Sequence, residues 1–359
     1  MMIGTRIAER RKEKKLTQEV FAGMLGVSTA FISQIEGGVR KPSYGLLLKI
    51  CHNLDTTIEY ILSGETKGSD DPSMKLLSSA FSFLSPEKKD KLIDYLLLLT
   101  GVKVYRGFPV LKTPTEYAQF LIKHLKITEI PVDTFDIASK LEVEVIFADL
   151  DDCDGKLFKN REKPLIVLNR ECDDYGRQRF TMAILLGHLV IPWHLQHEYR
   201  RVRDKRSLDH DELFEIEARQ FAGELLLPSA VVKKDFSKLE PTIKSLEKLA
   251  YEKYKCSLTS IAHKLIEIYG KKYLYITSSG AEFTRVYNVG FPYRLMDKVM
   301  PGSIAYSFID NPPSGKEIRK GVVDSKVWFD NVPSSFKVFE ESMLDPAKKI
   351  TVSLLKLEK

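Results

Sequence analysis

The chain has 359 residues, a length that suggests two or three domains. Of these residues 43% are hydrophobic and 29% charged, proportions typical of a globular protein. Its 55 lysine and arginine residues exceed its 49 acidic residues by six charges, and this mild excess alone does not indicate nucleic-acid binding. The four cysteines are widely spaced and form no C-x-x-C pair, which argues against disulfides and a structural zinc site. The absence of a long apolar run argues against membrane insertion. Together these features favour a bacterial cytoplasmic protein.

Residues 1–66 are predicted to form an all-α domain of short helices. Thr17 and Ser28 are typical N-cap residues, since each precedes a stretch with helical spacing of apolar residues. In the first helix Ile7 is expected to face inward and the basic residues mostly outward; these are Arg6, Arg10, Arg11 and Lys12. The helices are expected over residues 3–14, 18–25, 29–36, 44–53 and 58–62.

The stretch from Leu16 to Gly38 has the order L-T-Q-E-x-x-A-x-x-L-G-V-S-x-x-x-I-S-x-I-E-x-G. It resembles the Xre/Cro-type helix-turn-helix family, in which the second helix of the motif enters the major groove of DNA. The resemblance implies that one set of residues faces the bases, namely Thr29, Ala30, Ser33 and Gln34. It implies that a second set faces the phosphates, namely Gln18, Ser28 and Arg40 or Lys41.

Charge in the first 49 residues supports this interpretation. Nine lysine and arginine residues stand there against four acidic residues, a local excess of five positive charges. Such an excess favours a phosphate backbone, so we expect double-stranded DNA as a partner. A helix-turn-helix used as a protein-interaction module is the alternative.

Residues 67–112 are predicted to be a helical linker. The segment 65–71 is polar, an amphipathic pattern begins at Met74, and Ser85-Pro86-Glu87 opens a helix expected to reach Thr100. The broad apolar stripe of this helix must be covered, either by the next domain or by a second subunit. Because helix-turn-helix proteins of this type commonly bind two half-sites, a homodimer is expected.

Residues 113–270 are predicted to form an α+β domain that ends in several helices. Asp154-Gly155 is typical of a turn. Two longer helices are expected at the centre of the domain, ended by Pro192 and Pro228. The predicted helices cover residues 116–125, 132–141, 178–191 and 211–227, and the predicted strands cover residues 143–148 and 164–168.

In the first long helix, Ile184 and His188 are four residues apart and therefore lie on one face, the spacing of the two histidines in H-E-x-x-H. Arg179-Phe180-Thr181-x-Ala183 and Leu186-Gly187-His188 resemble the R-F-T-x-A-H-E-x-G-H helix of the ImmA/IrrE-type metallopeptidase-like family. Glu215-x-x-Ala218-Arg219-x-Phe221-Ala222 resembles its second motif, with Arg219 where the family commonly has asparagine. The resemblance implies a zincin-like fold in which Ile184, His188 and Glu215 occupy zinc-ligand positions and Leu185 the position of the general base.

Two of these four residues cannot perform the chemistry. Isoleucine cannot ligate a metal, and leucine cannot accept a proton from metal-bound water. We therefore expect a pseudo-metallopeptidase with no catalytic residues and no zinc, in which Ile184, Leu185, His188 and Glu215 are vestigial positions. Replacement zinc ligands would have to come from the connection between the helices, where we expect the histidines to face solvent instead; they are His194, His197 and His210.

The last portion, residues 271–359, alternates apolar and polar residues between Gly- and Pro-containing turns, which predicts an α+β domain built on strands. It resembles the GAF-like C-terminal domain of IrrE-type proteins. That resemblance implies a sensor for a small-molecule effector, although an aromatic-rich sheet can equally be a simple core. The predicted strands cover residues 273–277, 283–287, 303–308, 326–329, 336–341 and 350–356.

Together these features predict a multidomain, cytoplasmic, sequence-specific DNA-binding transcriptional regulator whose peptidase-like domain is a scaffold or sensor. One alternative is an active zinc metalloprotease that cleaves a repressor. Another is an antitoxin or phage-defence regulator that binds a protein partner.

Overall fold

A computed structural model gives the fold of the chain. Contacts between residues group the chain into two compact units: residues 57–228, and residues 1–56 together with 229–359. The predicted polar segment 65–71 and most of the predicted helix 58–62 lie outside the described residues. Within the described part, no helix has the length and apolar character needed to cross a membrane. The structure describes residues 3–25, 27–40, 42, 44–56, 60–61, 72–100, 108–109, 111–202, 212–291, 293–330, 332–333 and 335–358.

Four helices make up the described part of the N-terminal domain, and each has a buried face. The Oγ atom of Ser28 accepts a hydrogen bond from the backbone N–H of Phe31 at 3.0 Å, which fixes the start of the third helix as its sequence predicts. Ile7, Phe21 and Ile32 are fully buried. The helices are α1 (Ile3–Glu13), α2 (Gln18–Leu25), α3 (Thr29–Glu36) and α4 (Tyr44–Asn53).

The expectation that the basic residues of α1 face outward is wrong for Arg6 and Arg11, which are only 5% and 7% exposed. Arg11 donates through Nε and Nη2 to the two carboxylate oxygens of Glu36, at 2.6 and 2.9 Å, and through Nη1 to the carbonyl of Leu16. A buried guanidinium is tolerated when its donors are satisfied in this way. Helical spacing alone does not reveal such a pair, because the partner belongs to a distant helix.

Two helices occupy the predicted linker, α5 (Pro72–Ser82) and α6 (Pro86–Thr100). The second begins at Pro86 as predicted. Phe83, Leu98 and Leu99 are 87%, 68% and 65% exposed, so large apolar side chains face solvent in the single chain.

The central domain packs helices against a four-stranded sheet of order β1-β3-β2-β4, in which β1 and β3 are parallel and the other neighbours antiparallel. Thr113 and Glu116 form a capping box at the start of the first helix, whose first residue is Pro114. The elements are α7 (Pro114–His124), α8 (Thr134–Lys140), β1 (Glu144–Ala148), β2 (Cys153–Phe158), β3 (Leu165–Asn169), α9 (Tyr175–Val190), β4 (Glu198–Val202) and α10 (Glu212–Leu226).

Asp154 and Gly155 lie within β2, so their prediction as a turn is wrong. The glycine is explained by packing, because a Cβ atom at Gly155 would lie 2.9 Å from Cγ2 of Thr181 and 3.0 Å from Cδ1 of Leu185. Both neighbours belong to α9. The missing side chain thus lets α9 lie directly on β2.

Helices α9 and α10 also approach each other closely. A Cβ atom at Gly187 would lie 3.0 Å from a ring carbon of Phe221 and 3.2 Å from the backbone of Ala218. Almost every residue of α9 after Phe180 is buried, which explains why its sequence is apolar on all sides. This contact fixes the two signature helices side by side.

The C-terminal part is an α+β arrangement around an antiparallel five-stranded sheet of order β6-β5-β11-β10-β8. Trp328, Phe329 and Leu355 lie in its core. The elements are α11 (Ser229–Phe236), α12 (Ile243–Lys248), a π-helical turn (Leu249–Tyr254), α13 (Leu258–Tyr269), β5 (Tyr273–Ser279), β6 (Glu282–Tyr287), β7 (Arg294–Leu295), α14 (Ile304–Asp310), β8 (Glu317–Asp324), a 3₁₀ turn (Ser325–Val327), β9 (Phe329–Asp330), β10 (Lys337–Asp345) and β11 (Ile350–Glu358).

Residues 303–308 form helix α14, so their prediction as a strand is wrong. Ser303 caps this helix by accepting the N–H of Tyr306, and the buried Glu340 accepts the N–H groups of Ile304 and Ala305 at 2.9 and 2.6 Å. Tertiary contact with Glu340 thus decides the helix. Residues 326–329 are likewise a 3₁₀ turn and the start of β9. Strand β8 is not predicted from the sequence, because its residues do not alternate between apolar and polar.

Candidate functional sites

Helix α3 has one buried and one open face. Ile32 and Ile35 are buried, whereas Ala30, Ser33 and Gln34 are exposed and Thr29 is half-buried. The residues that the sequence assigns to base contacts therefore lie on the solvent side of the helix.

The residues assigned to phosphate contacts are in more varied surroundings. Ser28 is buried and caps α3, and Gln18 donates through Nε2 to Oε2 of Glu36 at 2.8 Å. The guanidinium of Arg40 lies 5.6 Å from the ring centroid of Phe31, a cation–π contact that orients it beside α3. Lys41 lies outside the described residues.

In the central domain, hydrocarbon side chains stand at the two places where the family resemblance expects the first histidine and the general base. Ile184 and Leu185 are fully buried, and His188 is 3% exposed. The structure therefore places Ile184 and His188 on α9 within a packed core, as the four-residue spacing predicts. Neither aliphatic side chain offers a lone pair or a proton acceptor.

Glu215, the remaining acidic member of the pattern, is bound by two arginines. Its Oε1 lies 2.8 Å from Nε of Arg219 and 3.0 Å from Nη1 of Arg201, while its Oε2 lies 3.6 Å from Nε2 of His188. Burial alone would raise the pKa of Glu215, but His188, Arg201 and Arg219 favour the carboxylate and lower that pKa to about 2. The carboxylate stays charged and is paired with two guanidinium groups.

His188 belongs to a second group of polar side chains behind this ion pair. Its Nδ1 lies 3.0 Å from Nδ1 of His194, whose Nε2 lies 2.9 Å from Oε2 of Glu217. Trp193 also donates to Glu217, at 2.7 Å. His194 is fully buried, and burial lowers its pKa to about 4, so the expectation that the histidines between the helices face solvent is wrong for it. His197 is exposed as expected, and His210 lies outside the described residues.

Lys159 is a buried charge that sequence reasoning missed. Its Nζ donates to the carbonyls of His188 at 3.0 Å and His194 at 2.7 Å, and its side chain is fully buried. Burial lowers its pKa to about 7. Nothing in its polar sequence neighbourhood distinguishes it from a surface lysine; the structure shows that it holds the end of α9 and the following turn together.

The residues present do not fit the three-ligand zinc site of this motif. His188 and Glu215 supply two donors, the third position is Ile184, and Glu215 is already paired with arginine. Over the described ranges, no group of three or more His, Cys, Asp or Glu side chains is arranged to hold a metal ion. What the arrangement can do is hold charge: a carboxylate between guanidinium groups, supported by a histidine pair.

Known proteins match two parts of the chain. Residues 7–61 match the family described as helix-turn-helix, and residues 138–265 match the family described as IrrE N-terminal-like domain, Peptidase_M78. An uncharacterized HTH-type transcriptional regulator of Bacillus subtilis, YqaE, is 34% identical over 98 residues, which cover 27% of this chain and 84% of that protein.

Solved structures give further similarities. The P22 c2 repressor in complex with a synthetic operator is 35% identical, with 18% of this chain and 98% of that chain covered and a TM-score of 0.18. A Mycobacterium tuberculosis transcriptional regulator is 12% identical, with 74% and 79% of the two chains covered and a TM-score of 0.47. The Bacillus relative and the two family matches carry the assignment. The chain belongs to the helix-turn-helix transcriptional regulators, and it carries an IrrE N-terminal-like, peptidase M78 domain.

Proposed function

We propose that this protein is a sequence-specific transcriptional regulator that binds its operator through α3, and that its central domain is a non-catalytic scaffold or sensor. One observation carries the second half of the proposal. Glu215, at the position of a zinc ligand, lies between Arg201 and Arg219, while Ile184 and Leu185 fill the positions of a ligand and the base. We place the protein in the cytoplasm, where its DNA partner is.

The open face of α3 supports the DNA-reading half. Gln34 can make two hydrogen bonds to an adenine edge, and the Ala30 methyl group can contact a thymine methyl. Thr29 and Ser33 complete the base-facing set, and Gln18, Ser28, Arg40 and Lys41 are the phosphate-facing set. The test is a protection map of DNA upstream of the gene, which we expect to show a short protected site.

We propose that the protein binds as a homodimer. The exposed apolar side chains of the linker helices support this, because a second copy would bury Phe83, Leu98 and Leu99. A two-fold symmetric dimer would also place two α3 helices on two half-sites. Sedimentation equilibrium is expected to give twice the chain mass; a monomer at every concentration contradicts the proposal.

Loss of peptidase chemistry is tested by metal analysis. Purified protein is expected to contain far less than one zinc per chain and to cleave no repressor protein. One equivalent of zinc that disappears in both His188→Ala and Glu215→Ala would favour the alternative, an active zinc metalloprotease.

For residues 271–359 we propose a GAF-like sensor of a small-molecule effector, with domains bounded at residues 1–66, 67–112, 113–270 and 271–359. Its antiparallel sheet with flanking helices supports an α+β sensor domain. Limited proteolysis tests the first two bounds, since cuts are expected near residues 66 and 112, whereas Gly270 is buried against the backbone of Val289 and should resist cleavage. A stoichiometric protein partner that co-purifies would instead favour an antitoxin or phage-defence regulator.

A further inference from the structure

Three arginines from three different elements lie near one another in the central domain, since Arg177 and Arg219 are both close enough to Arg201 for their charges to act on it. Arg201 of β4 and Arg219 of α10 both contact Glu215. Arg177, in the first turn of α9, contacts Oδ2 of Asp154 through Nε at 2.9 Å and Nη2 at 2.8 Å. Asp154 lies at an irregularity in β2, and the next residue of that strand pairs with Arg201.

The described charges of this cluster do not balance. Among the described residues, three guanidinium groups contact two carboxylates, so the positive groups outnumber the negative ones. Like charges held close together in a partly buried place are costly, and a bound anion would reduce that cost.

Hydrogen-bond donors are also left over. A guanidinium carries five N–H groups, and Arg201 uses Nη1 on Glu215 while its Nε, among the described residues, is buried without a hydrogen-bond partner. Arg219 uses Nε on the same carboxylate oxygen. A buried donor without an acceptor is rare in folded proteins, which points to a missing acceptor.

A ligand can reach these donors from solvent. The side chains of Arg177 and Arg219 are 49% and 30% exposed, whereas Arg201 is 16% exposed. The cluster thus has an open side formed by two arginines and a buried end formed by the third. Arginine forks of this kind match the oxygens of phosphate and carboxylate groups.

We propose that Arg177, Arg201 and Arg219 form a binding site for a small soluble ligand through its phosphate or carboxylate group. The inference rests on the proposed loss of the zinc centre, because a metal held by Glu215 would compete with the same arginines. It assigns the sensing role of the central domain to this cluster.

Isothermal titration calorimetry of the full-length protein tests the site, with inorganic phosphate and succinate as probes in chloride buffer of constant ionic strength. We expect one saturable site per chain for one of the two probes, and the probe that binds identifies the group. Arg201→Gln and Arg219→Asn are expected to weaken binding at least tenfold. Arg200→Gln is the matched control, because Arg200 is the exposed neighbour on the same strand and pairs with Glu198; it is expected to bind like the parent.

Phosphate could also bind the basic N-terminal domain, so Arg40→Gln serves as a second control and is expected to leave the calorimetric site unchanged. If Arg201→Gln does not fold, Arg177→Gln replaces it as the test variant, because it changes a half-exposed side chain. Equal binding by the parent, Arg177→Gln and Arg219→Asn, or no binding of either probe at millimolar concentration, overturns the inference. Zinc measured in the same samples tests the lost metal centre separately, so zinc-free protein that binds no anion refutes this inference alone.

Discussion

Glu215 and Arg219 lie one turn apart on α10, with Oε1 of the glutamate 2.8 Å from Nε of the arginine. By the family resemblance, Glu215 stands at a metal-ligand position and Arg219 at a position that commonly holds asparagine. Arg219 therefore puts a positive charge beside a carboxylate whose charge a metal would otherwise balance. Arg201 adds a second guanidinium on the same oxygen.

Glu215→Gln is expected to destabilise the protein, because it leaves the guanidinium groups of Arg201 and Arg219 without their counter-charge. Breaking a fully buried ion pair costs about 3–5 kcal/mol, and since Glu215 is 23% exposed we expect roughly 2 kcal/mol. Urea unfolding measures the loss. Glu198→Gln, which breaks the exposed pair with Arg200, should cost less than about 1 kcal/mol; equal effects would show that the Glu215 cluster is no more than a surface ion pair.

Lys159 predicts a rise in stability with pH. Its folded pKa is about 7 against 10.5 for an ordinary lysine, so between these values the unfolded chain holds a proton that the folded chain has lost. The free energy of unfolding should therefore increase from about pH 7 to 10.5, by up to several kcal/mol, and Lys159 should cause no change with pH below pH 7. Lys159→Met should lack this component. Parallel stability curves for parent and variant would contradict the assignment.

Base and phosphate contacts are separable by mutation. Gln34→Ala is expected to relax base preference at one operator position by about 1–3 kcal/mol, because it removes hydrogen bonds to a base edge. Arg40→Ala is expected to weaken binding to all duplexes alike and to lower the salt dependence by about one phosphate contact. Fluorescence anisotropy with operator and scrambled DNA measures both. Two variants that bind every duplex like the parent would refute the assignment of α3.

Close packing of α9 on β2 makes Gly155 intolerant of a side chain. Gly155→Ala places a Cβ atom 2.9 Å from Thr181 and 3.0 Å from Leu185, and should destabilise by about 1–3 kcal/mol. Gly223→Ala is the control, because no atom lies within 4 Å of its added Cβ and alanine favours a helix. Thermal unfolding should rank the control at or above the parent; a stable Gly155→Ala would show that the helix can move away from the strand.

The two signature helices could be predicted because each is a long segment followed by a proline, the first of them mostly apolar. The four-residue spacing put Ile184 and His188 on one face, whereas the position of Glu215 came from the family resemblance. Arg201, Lys159 and His194 could not be found in this way, because they reach the site from β4, the end of β2 and a loop. Strand β4 is not predicted from the sequence either, because most of its five residues are charged, although it places Tyr199 and Arg201 on one face.

Local patterns failed where a distant residue decides the structure. Ser303 to Phe308 alternate like a strand, yet Glu340 from β10 accepts the first N–H groups and selects a helix. By its sequence position Arg11 resembles a surface residue of an amphipathic helix, yet its hydrogen bonds to the carboxylate of Glu36 keep it buried. Both errors involve a buried carboxylate far away in sequence.

The link between Arg11 and Glu36 also bears on how operator affinity should respond to ionic strength. Both side chains are shielded from solvent, at 8% and 7% exposure, so dissolved ions screen their attraction little. Added salt should therefore weaken binding to the sugar–phosphate chain without changing how α3 packs against α1. The slope of log affinity against log salt would then report only the number of displaced counterions, because the DNA-binding helix is not deformed.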